Sequence, residues 1–221
     1  MPIVTIRGQM GSGAPDIGRQ IAAKLNIDYI DREIIAKVAK QTQWAKQIVA
    51  EKEKPPGTLL GRIAEALGRG STMMGVEFSG AYMPVYDIPL DNDSYVKGLE
   101  SVIKKLAQKK AIVIRGRGSQ FILKDILDAF HILIVATEEI RIKRIISSLK
   151  LNEDEAKKEI NRSDSSHREF IKRYFKSDLE DPVNYDIVVN TSVLDFKDAT
   201  VIILKALQLK MKAIKKQTMV E

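Results

Sequence analysis

Apolar positions along the chain fall into two alternating patterns. Short continuous runs occupy residues 3–6 (IVTI), 111–114 (AIVI), 131–135 (HILIV) and 187–189 (IVV), with a shorter one at 28–31 (DYID). Runs of this length, rich in β-branched residues, predict strands, and the fully apolar ones predict strands buried on both faces of a parallel sheet. Between them apolar residues return every three to four positions, as helices require. Ile17, Ile21, Ala22 and Leu25 form one such stripe, and Val96, Leu99, Val102, Ile103 and Leu106 another. Further helices are expected over 138–149, 152–176 and 195–215. Strands alternating with helices imply right-handed crossovers, and so a three-layer α/β/α fold around a five-stranded parallel sheet. Ligands of such sheets sit at the carboxyl ends of the strands. Arg7, Asp31, Arg115, Arg117 and Asn190 all fall near such ends.

The pattern weakens between residues 32 and 93. Asp31, Arg32 and Glu33 suit a helix start, with Ile34, Ile35, Val38 and Ala39 behind them. A polar stretch then carries Trp44, Ile48 and Val49, and Pro55-Pro56-Gly57 breaks it. A short helix is expected over 58–67. Residues 68–93 are punctuated by glycine and proline, and a loop that long in a compact domain is functional or mobile. Met73, Met74, Tyr82, Met83 and Tyr86 suit a lid, a substrate wall, a contact in a homodimer or ordinary packing.

Composition narrows the chemistry. The chain has 221 residues, enough for one α/β domain with an insertion or two. It contains no cysteine, which excludes disulfides, thiolate nucleophiles and cysteine metal sites and is consistent with a cytoplasmic protein. With two histidines, His131 and His167, a histidine-rich metal site is not expected, and His131 at a strand start reads as structural. No apolar run approaches the roughly 20 residues of a membrane span, and no basic-then-apolar leader is expected at the start. The net charge is +7, with much of the excess at Lys205, Lys210, Lys212, Lys215 and Lys216. That cluster reads as a solvated helix face. No nucleic-acid interface is expected, because aromatic residues do not interleave the basic ones. The expected partner is a small polyanion such as a nucleotide.

The first run leads into Gly8, Gly11 and Gly13 and then into a helix. Strand, glycine turn and helix together make a phosphate cradle, with N–H groups turned inward and the positive end of the helix behind them. The spacing matches the GxxGxGKGT loop of nucleoside monophosphate kinases, which makes the backbone of Gly8, Gly11, Ser12, Gly13 and Ala14 the candidate phosphate ligand. Ala14, however, stands at the lysine position and Asp16 at the magnesium-binding threonine position. A phosphate about 4 Å from Asp16 would be repelled by roughly 4 kcal/mol at an effective dielectric of 20. Asp16 is therefore read two ways, as a magnesium ligand or as an acid at the helix start.

Five motifs taken in order carry a resemblance over nearly the whole chain: GSG at Ser12, YIDREII at 29–35, GRGSQFIL at 116–123, RIKRI at 141–145 and DPVNYDIVVNT at 181–191. With them the chain resembles the cytidylate kinase-like family of P-loop proteins. The resemblance implies a nucleoside monophosphate kinase architecture that uses ATP or another nucleoside triphosphate with Mg2+. Its core would comprise residues 1–40, 94–149 and 180–221, with an acceptor-binding insertion at about 41–93 and a helical lid at about 150–179. It implies that Arg117 holds the acceptor phosphate and that Asp31 contacts the acceptor. Arg141, Arg144, Arg168 and Arg173 would be donor or lid contacts. The family's strand-end DGRD reads Arg115-Gly116-Arg117-Gly118 here, so Arg117 carries over and both aspartates do not.

Two functions follow. One is phosphoryl transfer from a nucleoside triphosphate to a monophosphate or similar small acceptor. The other is a non-catalytic, sensing relative that binds nucleotide or another phosphorylated ligand, favoured by the missing lysine and aspartates. A third, weaker reading, association with nucleic acid through the basic tail, would show as salt-dependent retention unaffected by free nucleotide.

Overall fold

The computed structural model describes residues 2–31, 93–108 and 111–217. Its sheet has five strands, β1 (Ile3–Gly8), β2 (Asp28–Ile30), β3 (Ile112–Arg115), β4 (Ala129–Val135) and β5 (Ile187–Asn190), in the spatial order β2-β3-β1-β4-β5. Every pairing is parallel. The chain leaves β1 toward β2 on one side and leaves β3 toward β4 on the other. That divergence opens a crevice at the carboxyl ends of the central strands, the usual ligand position in such sheets.

The helices among the described residues are α1 (Ala14–Leu25), α2 (Asp93–Gln108), α3 (Ser119–Ile122), α4 (Glu138–Leu149), α5 (Glu153–Phe175) and α6 (Phe196–Gln217). Alternation along the strands divides the core in two. Val4, Ile6, Val113, Phe130, Ile132 and Ile134 pack against α1 and α6. On the opposite face Ile3, Ile112, Ile114 and Ala129 pack against α2, α3 and the second half of α5. A third cluster joins Met10 to Ile142 and Ile145 of α4 and to Ala156 and Ile160 of α5.

Element boundaries differ from the sequence reading for local reasons. Ala111 has a left-handed φ of 56°, so β3 starts one residue later than the apolar run. β4 starts two residues earlier than its apolar run, because Ala129 and Phe130 are buried and pair with Ile3 and Val4. Asn152 caps α5 in a reciprocal box with Glu155, and Asp195 accepts from the Asp198 N–H at 2.8 Å as α6 begins. The four residues of α3 are too few to show a period in the sequence. The expected insertion at 41–93, its 58–67 helix and the 68–93 loop lie outside the described residues, except that Asp93 opens α2. Among the described residues no helix is long and apolar enough to cross a membrane.

His131 is part of this scaffold. It faces Thr5 across the β1–β4 register, with Nδ1 and the Thr5 hydroxyl 2.7 Å apart. Its backbone N–H donates to Asp186, which also pairs with Lys210 of α6 at 2.7 Å. Burial pushes the imidazole down to about 4, against a smaller upward pull from Asp186. As pH falls below the ordinary histidine range, the unfolded chain therefore takes up a proton that the folded protein refuses. Stability is lost from about pH 6.5 down to about pH 4 and the loss then levels off. Between pH 7 and pH 5 this costs about 2 kcal/mol. Urea unfolding of His131→Gln at the two pH values should show a loss smaller than in the unmutated protein by about that amount. Equal losses in both would remove His131 from the acid sensitivity.

Candidate functional site

β1 ends in the glycine loop, and its backbone is held from behind. Gly11 and Gly13 have left-handed φ values of 81° and 89°, and Gly13 caps α1. A side chain at Gly13 would meet the Phe196 ring at 2.3 Å, so the ring lies flush under the loop. Arg144 lies over the same ring, 4.8 Å from its centroid. Its Nη1 donates to the Gly11 carbonyl at 3.2 Å and to Thr191 Oγ1 at 3.0 Å, and its Nη2 to the Thr191 carbonyl at 2.7 Å. The Thr191 hydroxyl in turn donates to the Ser12 carbonyl at 2.7 Å. In a trans peptide the N–H points opposite to the C=O. Holding the Ser12 carbonyl from behind thus turns the Gly13 N–H toward the loop's interior. Ala14, at the lysine position, is buried and brings no charge to that interior.

Arg141 does different work from Arg144, although both lie on α4. It is buried and pairs with Asp164 of α5 at 2.6 Å, and it donates to the Met10 carbonyl at 3.3 Å. Asp164 also accepts from the Met10 N–H at 3.2 Å. One ion pair therefore fastens the loop, α4 and α5 together. Removing one partner of a buried pair is costly because it strands the other charge.

The second half of the site lies at the ends of β1 and β3. Arg7 is 6% exposed there, Arg115 pairs with Asp31, and the Gly116 N–H donates to the Ile6 carbonyl at 3.1 Å. Gly116, Arg117 and Gly118 are all left-handed, with φ values of 71°, 59° and 71°. For a residue with a side chain this costs of order 1–3 kcal/mol and is characteristic of functional sites. Gly118 admits the Phe175 ring of α5, which a side chain would meet at 2.6 Å. The turn sends Arg117 into a cleft lined with Arg7, Gln120, His167, Phe170 and Leu179. There its Nη1 is buried without a hydrogen-bond partner among the described residues. The cleft's free volume of about 10 Å3 is that of a single water molecule.

The other expected residues are dispersed. Asp16 is exposed on the first turn of α1 and pairs with Arg19 at 2.7 Å. Arg168 and Arg173 are exposed on α5, Arg168 lying 3.8 Å from Glu180 and Arg173 5.7 Å from the Tyr174 ring. The expected lid, residues 150–179, is α5 with its flanking turns, here docked on the core through Phe170, Ile171 and Leu179. Sequence reasoning did not place His167, Gln120, Thr191 or Phe196 in the site. His167, as one of two histidines, was visible but had no neighbour in sequence to explain it.

Comparison with known proteins identifies the fold and the family. The chain is 25% identical over 201 residues to a cytidylate kinase of Sulfolobus acidocaldarius, covering 91% of each chain. A cytidylate kinase of Pyrobaculum arsenaticum is 23% identical over 199 residues, covering 90% of this chain and 89% of its own. Among solved structures, an uncharacterized protein from Eubacterium ventriosum superposes with a TM-score of 0.67 at 19% identity, covering 94% of this chain and 99% of that one. A gluconokinase from Sinorhizobium meliloti follows at 0.52 and 14%, covering 98% and 97%. These structures share the fold. The sequence model of the cytidylate kinase-like family matches residues 3–193, and this chain belongs to that family.

Proposed function

We propose that this protein is a nucleotide-binding phosphotransferase of the cytoplasm, moving a phosphoryl group from a nucleoside triphosphate such as ATP to a nucleoside monophosphate. The names of its relatives make cytidine monophosphate the first acceptor to test. The observation that carries the reading is the buried, unpartnered Nη1 of Arg117, held by a strained turn beside Arg7. A buried guanidinium nitrogen without a partner is costly, and a phosphate supplies what it lacks. The glycine loop then serves the donor phosphates through its backbone, braced by Arg144 and Thr191. Residues 150–179 act as the lid, because α5 leaves too little room for a phosphate and must swing out to admit one. The segment about 41–93 is assigned to the acceptor.

Mg2+ would enter with the nucleotide. Among the described residues no three acids or histidines cluster to hold a metal, and Asp16 offers one exposed carboxylate beside the loop. That suits an ion bound mostly by phosphates and water. Bound Mg2+ would neutralise phosphate charge, while Asp16 would leave Arg19 to supply one oxygen.

Ala14 supports a second reading, in which nucleotide binds and no transfer follows. A loop without its lysine has lost one of the charges that phosphoryl transfer relies on. Incubating the protein with ATP, Mg2+ and cytidine monophosphate and assaying for ADP and cytidine diphosphate decides between them. Product formation establishes the transferase; tight binding without product establishes the sensor.

Two substitutions test the residues. Arg117→Ala should weaken monophosphate binding by about tenfold to a hundredfold, the worth of one or two charge-assisted contacts. The melting temperature of the ligand-free protein should hold or rise, because the substitution removes an unsatisfied buried nitrogen. A large drop in melting temperature with affinity intact would make Arg117 a structural residue. Asp16→Ala should weaken the magnesium-dependent part of nucleotide binding and leave binding in EDTA unaltered or tighter. Undiminished binding with Mg2+ would show that Asp16 only opens α1 and pairs with Arg19.

A further inference from the structure

His167 sits on α5, on the lid side of the arginine cleft, opposite strand ends that carry Arg7, Arg115 and Arg117. Its Nδ1 lies 2.8 Å from the Ser163 carbonyl one turn back. A carbonyl only accepts, so Nδ1 carries the hydrogen and, in the neutral ring, Nε2 carries the lone pair. The tautomer is therefore fixed by the helix itself. The acids of the neighbourhood are already engaged: Asp31 with Arg115, Glu180 with Arg168 and with Gln9 Nε2 at 3.2 Å, and Asp164 with Arg141. Gln120 on α3 brings no charge, and its amide donates to Tyr185 Oη at 3.2 Å. Among the described residues, then, the His167 ring lies in the same cleft as Arg7 and Arg117, and the guanidiniums of Arg7, Arg117 and Arg115 repel a proton on it.

We infer that His167 is a proton-linked phosphate ligand, neutral in the ligand-free protein and protonated at Nε2 when a dianion enters the cleft between Arg7 and Arg117. The inference rests on the assignment of that cleft to a substrate phosphate. Burial, followed by repulsion from Arg7, Arg117 and Arg115, holds the free imidazole well below its ordinary range. A dianion reverses the sign of the field that keeps the proton off. Protonated His167 then donates to the phosphate from the lid side while the arginines donate from the sheet side. Closing α5 and taking up the proton become one event. Binding should accordingly weaken as pH rises through neutrality, with proton uptake by the protein setting the slope.

Sulfate is the probe, because it remains a dianion throughout the range in which phosphate itself titrates. Proton uptake is measured by calorimetry near pH 6.5 in buffers of different ionisation enthalpy. The chain has two histidines and no cysteine, so few other groups titrate there. The unmutated protein should take up about half a proton or more per sulfate, and its affinity should fall by up to about tenfold per pH unit above that. His131→Gln should behave the same way. His167→Gln should bind sulfate more weakly, with no uptake and no slope. Histidine Cε1–H resonances of the unmutated protein, titrated with and without sulfate, give the same answer should that variant fail to fold. Sulfate binding that Arg117→Ala weakens but that takes up no proton would overturn the role of His167 and leave the cleft assignment standing. Failure of sulfate to bind in an Arg117-dependent way would overturn both.

Discussion

Positive charge gathered at the ends of β1 and β3 is the constraint on which the rest of the site depends. The parallel register sets Ile6 beside Arg115, so Arg7 and the Arg117 turn come together at one end of the sheet. Guanidiniums do not lose their charge when buried, so they must find anions or stay in water. Asp31 serves Arg115, and Asp164 serves Arg141 on the far side of the loop. Arg117 is left with a buried, unmatched nitrogen, and burial, followed by repulsion from the guanidiniums, pushes the His167 imidazole down. A phosphate is the group that would relieve both.

The glycine loop answers to a second constraint. The Gly13 N–H faces inward only if the Ser12 carbonyl is held outward; Thr191 holds that carbonyl, Arg144 holds the Gly11 carbonyl, and the Phe196 ring packs under Gly13. The brace comes from α4, the end of β5 and the start of α6, all far from the loop in sequence. Ala14 removes a cation from the loop without disturbing this frame. The loop thus keeps the shape of a cradle without that charge, and the guanidiniums of this sheet end lie in the arginine cleft instead.

How much of this could be read from the chain depended on the range of the interaction. β1, β3 and β4 were legible because both-face burial makes IVTI, AIVI and HILIV continuous, whereas β5 is an edge strand whose Val188 is exposed despite its apolar run. The loop was legible because its three glycines sit beside their own strand and helix. Arg117 was legible for the same local reason, lying between two glycines at a strand end. The separate duties of Arg141 and Arg144 were not, since both stand three apart on one helix and differ only in what packs against them. Thr191 and Phe196 carry no local mark of the loop they support from about 180 residues away. His167 acquires its meaning only when α5 folds back over the strand ends.

The account places a phosphate between Arg7 and Arg117, against α5. A crystal structure of the protein grown with cytidine monophosphate measures this most directly. The phosphate should lie within hydrogen-bond distance of Arg117 Nη1, with His167 facing it from α5. A nucleotide whose phosphate lies elsewhere, with the Arg117 side chain unmoved and still unpartnered, would contradict it.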